Sequence, residues 1–170
     1  MQIKTAVGQA MNRKYPEPIA IAVAKDAQGK YNPITLGWIM PSSGEPPMLA
    51  IAVAYARHSY QAIRQSREFV IALPSSSMAK DALFHGTHSG REMDKLAVCE
   101  TRTQRASAID CVLLAEAVAN FECVLESETK SGDHAIFVGR IVAAHMHSDR
   151  TARRLYTVGP NHQMSGVIPG

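Results

Sequence analysis

The chain has 170 residues, 46% hydrophobic and 19% charged, with a formal net charge of +3. This fits one domain with a real core, and the charge is too small and too scattered for a nucleic-acid-binding stripe. The longest early apolar run, Ile19 to Ala24, falls far short of the roughly 20 residues of a membrane span, and no cleavable signal pattern precedes it, so the sequence reads as a soluble, cytoplasmic protein.

Residues 1–15 are mixed in composition and read as a loosely attached N-terminal arm; residues 16–170, tail included, read as a single domain. PIAIAVAKDAQGKYNPITLGWIM is expected to form two strands joined by the turn DAQGK, with Gly29 supplying the unusual backbone angle. In NPITLGWIM, residues 32 to 40, strand alternation puts Asn32, Ile34, Leu36, Trp38 and Met40 on one face. Pro33, Thr35, Gly37 and Ile39 take the other. A glycine here marks either a bulged strand with a structural tryptophan or a place where a ligand comes close. PSSGEPP, residues 41 to 47, reads as a breaker-rich loop. MLAIAVAY reads as a third strand buried on both faces.

SYQAIRQSRE, residues 59 to 68, has helical character: Ser59 can cap it and Tyr60 and Ile63 share a face. FVIALP is a short strand, and SSSMAKDALFHG a second helix, begun by a serine cap and ended by Gly86. Residues 87 to 108 look irregular. From Ile109 the period returns to two, through a long strand around Ala117 to Ser127, the turn ETKSGDH and the partner AIFVGRIVAAHMH. Strands dominate and no βαβ rhythm appears. The expected class is mainly β with inserted helices, in an antiparallel barrel.

No GxGxxG, GxxxxGK[ST] or GxSxG occurs, so the best-known phosphate loops and the nucleophile elbow are absent. ARHSYQAI places Arg57 and Ser59 where a strand gives way to a helix, and helix N-termini attract phosphate. A capped surface helix with an incidental arginine is the plainer reading. GTHSGREMDK, residues 86 to 95, offers Thr87, Ser89, Gly90 and Lys95, which suit a phosphate or a sugar and equally an exposed loop. His145 and His147 share a strand face and His85 lies near His88, but no carboxylate or cysteine stands at complementary spacing, which disfavours a metal. His134 stands at a hairpin end, either as a solvent-facing turn residue or projecting into a cleft. Cys99, Cys111 and Cys123 form no CxxC pair, and the latter two read as core residues.

Taken in order, the opening strand with DAQGK, NPITLGW, EPPMLAIAV, RHSYQAI with EFVIALP, SGREMDK, GDHAIFVGRIV and the late RRLYTVG resemble the flavin reductase-like family, flavoredoxins included. The resemblance runs from about Pro16 to Tyr156. It implies an antiparallel Greek-key split β-barrel that dimerises and holds FMN near the subunit interface. It also implies that Asn32, Ile34, Thr35 and Trp38 lie along the isoalloxazine, with Gly37 letting the ring approach. Arg57 and Ser59 would take the phosphate, and Thr87, Ser89, Gly90 and Lys95 would close its other side. His134 would stand beside the flavin and the incoming nicotinamide, positioning rather than reacting. The activity implied is hydride acceptance from NADH or NADPH, with delivery to free flavin, a redox partner or a monooxygenase component. A flavoredoxin-type electron carrier and a non-redox ligand-binding barrel are the alternatives. The chain departs from the family at Leu96, where an aromatic is common, and in its tail MSGVIPG, which lacks the aromatic that some members place over the flavin.

Overall fold

A computed structural model describes residues 1–167. Seven strands form one antiparallel sheet in the order β3-β2-β6-β9-β10-β5-β4, where β2 is Ala20–Lys25, β3 Tyr31–Leu36, β4 Ile39–Gly44, β5 Pro47–Ala54, β6 Glu68–Leu73, β9 Ala119–Ser131 and β10 His134–Met146. The two edge strands, β3 and β4, follow each other in the chain. Only Gly37 and Trp38 separate them, so three Cα steps of about 3.8 Å bridge the edges and force the sheet to curl round on itself. The result is an antiparallel Greek-key barrel split along one seam.

NPITLGWIM is therefore not a single core strand. Its first half pairs with β2 and its second with β5, and the break falls at the glycine. The segment expected as a loop after it is mostly strand as well: β4 runs to Gly44, leaving Glu45 and Pro46 as the turn to β5. That strand buries Ala50, Ile51 and Val53 but leaves its N-terminal end exposed, so it is not covered on both faces along its length.

Alternation on β2 splits the core in two. Ala20, Ala22 and Ala24 face the barrel interior with Ile34, Phe69, Ile71 and Phe137. Helix α2, His58–Ser66, adds Tyr60, Ala62 and Ile63 to that cluster. Ile21 and Val23 face a second cluster with Val70, Met78, Ala82, Leu114 and Leu155. This outer face is covered by α3, Ala79–Thr87, by the short pair β7, Thr103–Arg105, and β8, Val112–Leu114, and by β11, Arg154–Gly159. β11 is the middle strand of a three-stranded sheet between β1, Glu17–Pro18, and β12, Gln163–Val167. Cys111 and Cys123 are buried, and burial pushes both thiols up to about 12.

Local chemistry differs from expectation at both helices. Arg57, not Ser59, is the N-cap residue of α2 and makes no side-chain cap bond; Ser59 lies inside the first turn. The second helix opens with a 3-10 turn, Ser76–Met78, and α3 runs one residue past Gly86 to Thr87. The region expected to be irregular holds the short helix α4, Lys95–Val98, capped by the Asp94 carboxylate, which accepts from Ala97 N–H. The arm carries one exposed turn of helix, α1, Val7–Met11. The last three tail residues, 168–170, lie outside the described residues. Among the described residues no helix is long and apolar enough to cross a membrane.

Candidate functional site: two joined cavities at the barrel seam

The first cavity, about 250 Å³, lies between the start of α2 and the segment from α3 to α4. Ile34, Arg57, Ser59, Ser89, Gly90 and Lys95 all line it, so six of the candidate cofactor residues named from sequence come together. Ser59 is buried and its Oγ accepts a 2.7 Å hydrogen bond from Asn32 Nδ2, which leaves the serine proton free to donate. Lys95 is 4% exposed, and its Nζ donates to the carbonyls of His85 and His88 at 3.0 and 3.2 Å. An ammonium has three donors, so one remains.

Burial and the neighbouring Arg57 charge lower Lys95 to about 8. Burial, then the Lys95 charge, hold His85 at about 4, so its ring is neutral at pH 7. A desolvated ammonium beside an exposed arginine and a helix N-terminus forms a place where an anion relieves a cost already present in the fold.

Three neighbours of this cavity were not assigned to it from sequence. Arg91 lines it and donates from Nη1 to Ala56 O at 3.0 Å, tying the loop to the strand end before α2. His58 lines it too, with Nε2 at 3.2 Å from the Asp26 carboxylate, which also accepts from the N–H groups of Gln28 and Lys30. His85 is the third. All three stand in quoted motifs, His85 weighed there only for a metal; what their local context does not show is their partners, 32 and 16 positions away for the two histidines.

The second cavity, about 270 Å³, opens at the seam and is walled by Ile34, Thr35, Gly37, Trp38, Ala52 and His134, among others. Ile34 and Arg57 line both cavities, so the two adjoin as one cleft with a cationic end and an end of mixed polar, aromatic and aliphatic lining. The Trp38 and His134 rings touch, with centroids 4.7 Å apart. His134 Nδ1 lies 2.7 Å from Asp133 Oδ1. Because a carboxylate can only accept, Nδ1 carries a proton.

Three candidates sit differently from expectation. Asn32 is buried beneath the first cavity and acts on it through Ser59. Thr87 ends α3, spends its hydroxyl on Leu83 O at 2.8 Å and lines not the first cavity but a third one, which shares Arg57 and Gly86 with the first and Thr35, Gly37 and Trp38 with the second. Gly37 does not hold open space for a ring: a Cβ there would meet the Glu17 carboxyl group, Cδ at 2.9 Å. Glu17 fills the gap, and it is itself paired with Lys14 at 2.7 Å.

Three buried polar atoms at the cleft, Asn32 Oδ1, Thr35 Oγ1 and His85 Nδ1, have no partner among the described residues. Such orphans are uncommon in native proteins and point to a missing ligand. The donor set fits a phosphorylated, planar, heteroatom-edged molecule: cations and a hydroxyl at one end, aromatic and aliphatic walls at the other, and unsatisfied polar atoms between.

A seven-stranded antiparallel barrel whose seam holds a two-part cleft of this kind defines a split-barrel, cofactor-cleft protein. The chain belongs to the flavin reductase like domain family, whose model matches residues 11–161. An uncharacterised protein of Archaeoglobus fulgidus is 30% identical over 129 residues, covering 76% of this chain and 73% of its own; relatives from Aeropyrum pernix and Pyrococcus abyssi are matched over only 54% and 64% of their lengths. Among solved structures, the flavoredoxin of Methanosarcina acetivorans superposes with a TM-score of 0.86 at 23% identity, covering 100% of this chain and 93% of that one. An FMN-binding protein of Thermus thermophilus, solved with p-hydroxybenzaldehyde, gives 0.85 at 22% identity over 100% and 98%.

Proposed function

We propose that the protein is an oxidoreductase that binds FMN across the joined cavities, accepts hydride from NADH or NADPH, and passes the reducing equivalents to free flavin, a redox partner or a monooxygenase component, working as a homodimer. The observation that carries this reading is the continuity of the cleft at Arg57. It links a cationic pocket to a slot walled by Trp38 and His134.

In this reading Arg57, Lys95 and the Ser59 hydroxyl hold the phosphate through charge-assisted hydrogen bonds. Thr35 and Asn32 gain partners for their orphaned oxygens, and Ile34 and Trp38 supply apolar walls. Flavin, when bound, supplies the hydride chemistry. The protein's part is orientation: His134, which lines the slot and whose Nδ1 lies against Asp133, can position a nicotinamide amide. A near-attack geometry depends on such placement.

The test is an anaerobic titration of FMN-loaded protein with NADH and then NADPH. Rapid bleaching of the flavin band supports the reductase. Slow bleaching by both nucleotides, with fast reduction by a redox protein, assigns the chain to electron carriage of the flavoredoxin kind. Failure to retain or respond to any flavin reduces the reading to a ligand-binding barrel.

A further inference from the structure

The chain carries two apolar surfaces that nothing among the described residues covers. One is the arm: Ile3 and Val7 are 82% and 79% exposed, and α1 buries no residue at all. Val7, Ala10 and Met11 share one face of its single turn. The other is an apolar groove of about 390 Å³ on the outside of the seam, where half-exposed Trp38 and Met40 stand beside Ile39, Ile51 and Ile136. Lys14 and Pro16, the root of the arm, form the groove's rim. The arm thus starts at the groove and runs away from it.

We propose that the arm of each protomer docks its Ile3, Val7 and Met11 face in the Trp38–Met40 groove of a second copy, an exchange of arms that closes the outer side of the cofactor slot. This rests on the homodimer part of the reading above. Both surfaces are present on every chain, so a two-fold exchange covers all four at once, as an isologous interface requires. Charge agrees with the docking direction. Residues 1–16 contain Lys4, Arg13 and Lys14 and no acid, while exposed Glu45 sits in the turn joining β4 and β5, the strands that floor the groove, and has no ion pair among the described residues. Trp38 lines both the groove and the inner slot. An arm seated on it would hold that wall in place, so that the slot is complete only in the pair.

The test uses the full chain with Cys99→Ser, the one cysteine not buried. Val7→Cys and Met40→Cys are placed in separate preparations, mixed and oxidised. The expected product is a disulfide-linked pair joining the two positions, identified by peptide mass. Removal of residues 1–13 deletes three docked apolar side chains from each arm and should raise the dimer dissociation constant in sedimentation by at least roughly a hundredfold.

Cross-linking only within single chains of a Val7→Cys, Met40→Cys double variant means that the arm folds onto its own groove, and overturns the exchange. A dimer that persists unchanged without residues 1–13 and yields no cross-link overturns it too, leaving the homodimer reading intact. A monomer at all concentrations removes both. None of these outcomes depends on flavin, so the redox reading is judged separately.

Discussion

The rings of Trp38 and His134 lie against each other across the barrel seam, centroids 4.7 Å apart and planes tilted by 39°. Trp38 belongs to the two-residue crossing between the edge strands, and His134 is the first residue of β10, paired with Ala54 of β5. Sequence reasoning assigns the two to different parts of the flavin. The structure makes them one wall, so a change at either is felt by the other.

A first prediction follows from that contact. Trp38→Ala should weaken FMN retention and also slow reduction at full FMN occupancy, because His134 loses the surface that fixes its ring. His134→Ala should leave FMN bound and slow hydride transfer by up to about a hundredfold, the scale of a small misplacement. Trp38→Phe, which keeps an aromatic face, should recover most of the rate. Stopped-flow reduction of fully loaded variants decides the matter: a parental rate in saturated Trp38→Ala means that the contact does not position His134.

Two glycines of the site separate by what surrounds them. A Cβ on Gly90 would overlap Asn32 Oδ1 and come within 3.1 Å of His58 Cδ2. Asn32 is 3% exposed and cannot swing clear, so Gly90→Ala should break the Asn32–Ser59 hydrogen bond and lower FMN affinity about tenfold, near 1.4 kcal/mol. A Cβ on Gly37 meets only the end of the Glu17 side chain, so Gly37→Ala should change affinity less than threefold. Fluorescence titration of both variants with FMN checks the contrast, and equal losses would show that the ring, not Glu17, uses the space at Gly37.

Much of the barrel was legible because period-two alternation survives wherever one strand face is buried. The hairpin of β9 and β10 and the strand pair around Gly29 came out directly. β4 did not, because Pro41, Ser42, Ser43 and Gly44 carry breaker chemistry that an edge strand tolerates and a central one does not. Within the site, Arg57, Ser59, Ser89 and Lys95 could be named from local chemistry, since helix starts and hydroxyl-rich loops have short-range signatures. What stayed hidden was long-range. Ser59 works through Asn32, 27 positions away, and Thr87 is diverted by its own helix. Glu122 meets His145 only because β9 and β10 fold against each other.

The anion pocket should read the phosphate itself. FMN is expected to bind more tightly than riboflavin or FAD, whose phosphates are absent or esterified. Lys95→Met should cost one to two decades of FMN affinity, as charge-assisted bonds of about 1.5 to 3 kcal/mol imply. The lysine's pKa of about 8 lies below its ordinary 10.5, so the unfolded chain binds more protons between those values, and stability at this site rises with pH from 8 to 10.5. FMN affinity should run the other way, falling as Lys95 loses its charge above about pH 8. Titrations from pH 7 to 10 should show this fall in the parent and not in Lys95→Met; a parent profile as flat as the variant's removes Lys95 from the phosphate site.

Away from the cleft, Glu122 sets the acid limit of the fold. It is fully buried, which alone would raise its carboxyl, but hydrogen bonds from the Ser107 N–H and hydroxyl, the Ala108 N–H and His145 hold it at about 2. These contacts, with one more from Ile109 N–H at 3.2 Å, pin the loop before β8 to the middle of β9. The unfolded group titrates near 4.5 and the folded one near 2, so the unfolded chain binds more protons in that window. The stabilisation is complete above about pH 4.5 and is lost as pH falls through 2. Glu122→Ala leaves several buried donors unpaired and should cost about 3 to 5 kcal/mol, the range for breaking a buried charge pair. His145→Ala should cost far less, since that side chain is 34% exposed and the backbone donors remain. Neither Glu122 nor the loop it holds lines the two joined cavities, so FMN affinity of the folded variants should match the parent at pH 7. Urea unfolding between pH 2 and 7 supplies the check: the parent midpoint should fall steeply below about pH 4.5 and the Glu122→Ala midpoint should not, whereas parallel curves would mean that other carboxylates govern acid unfolding.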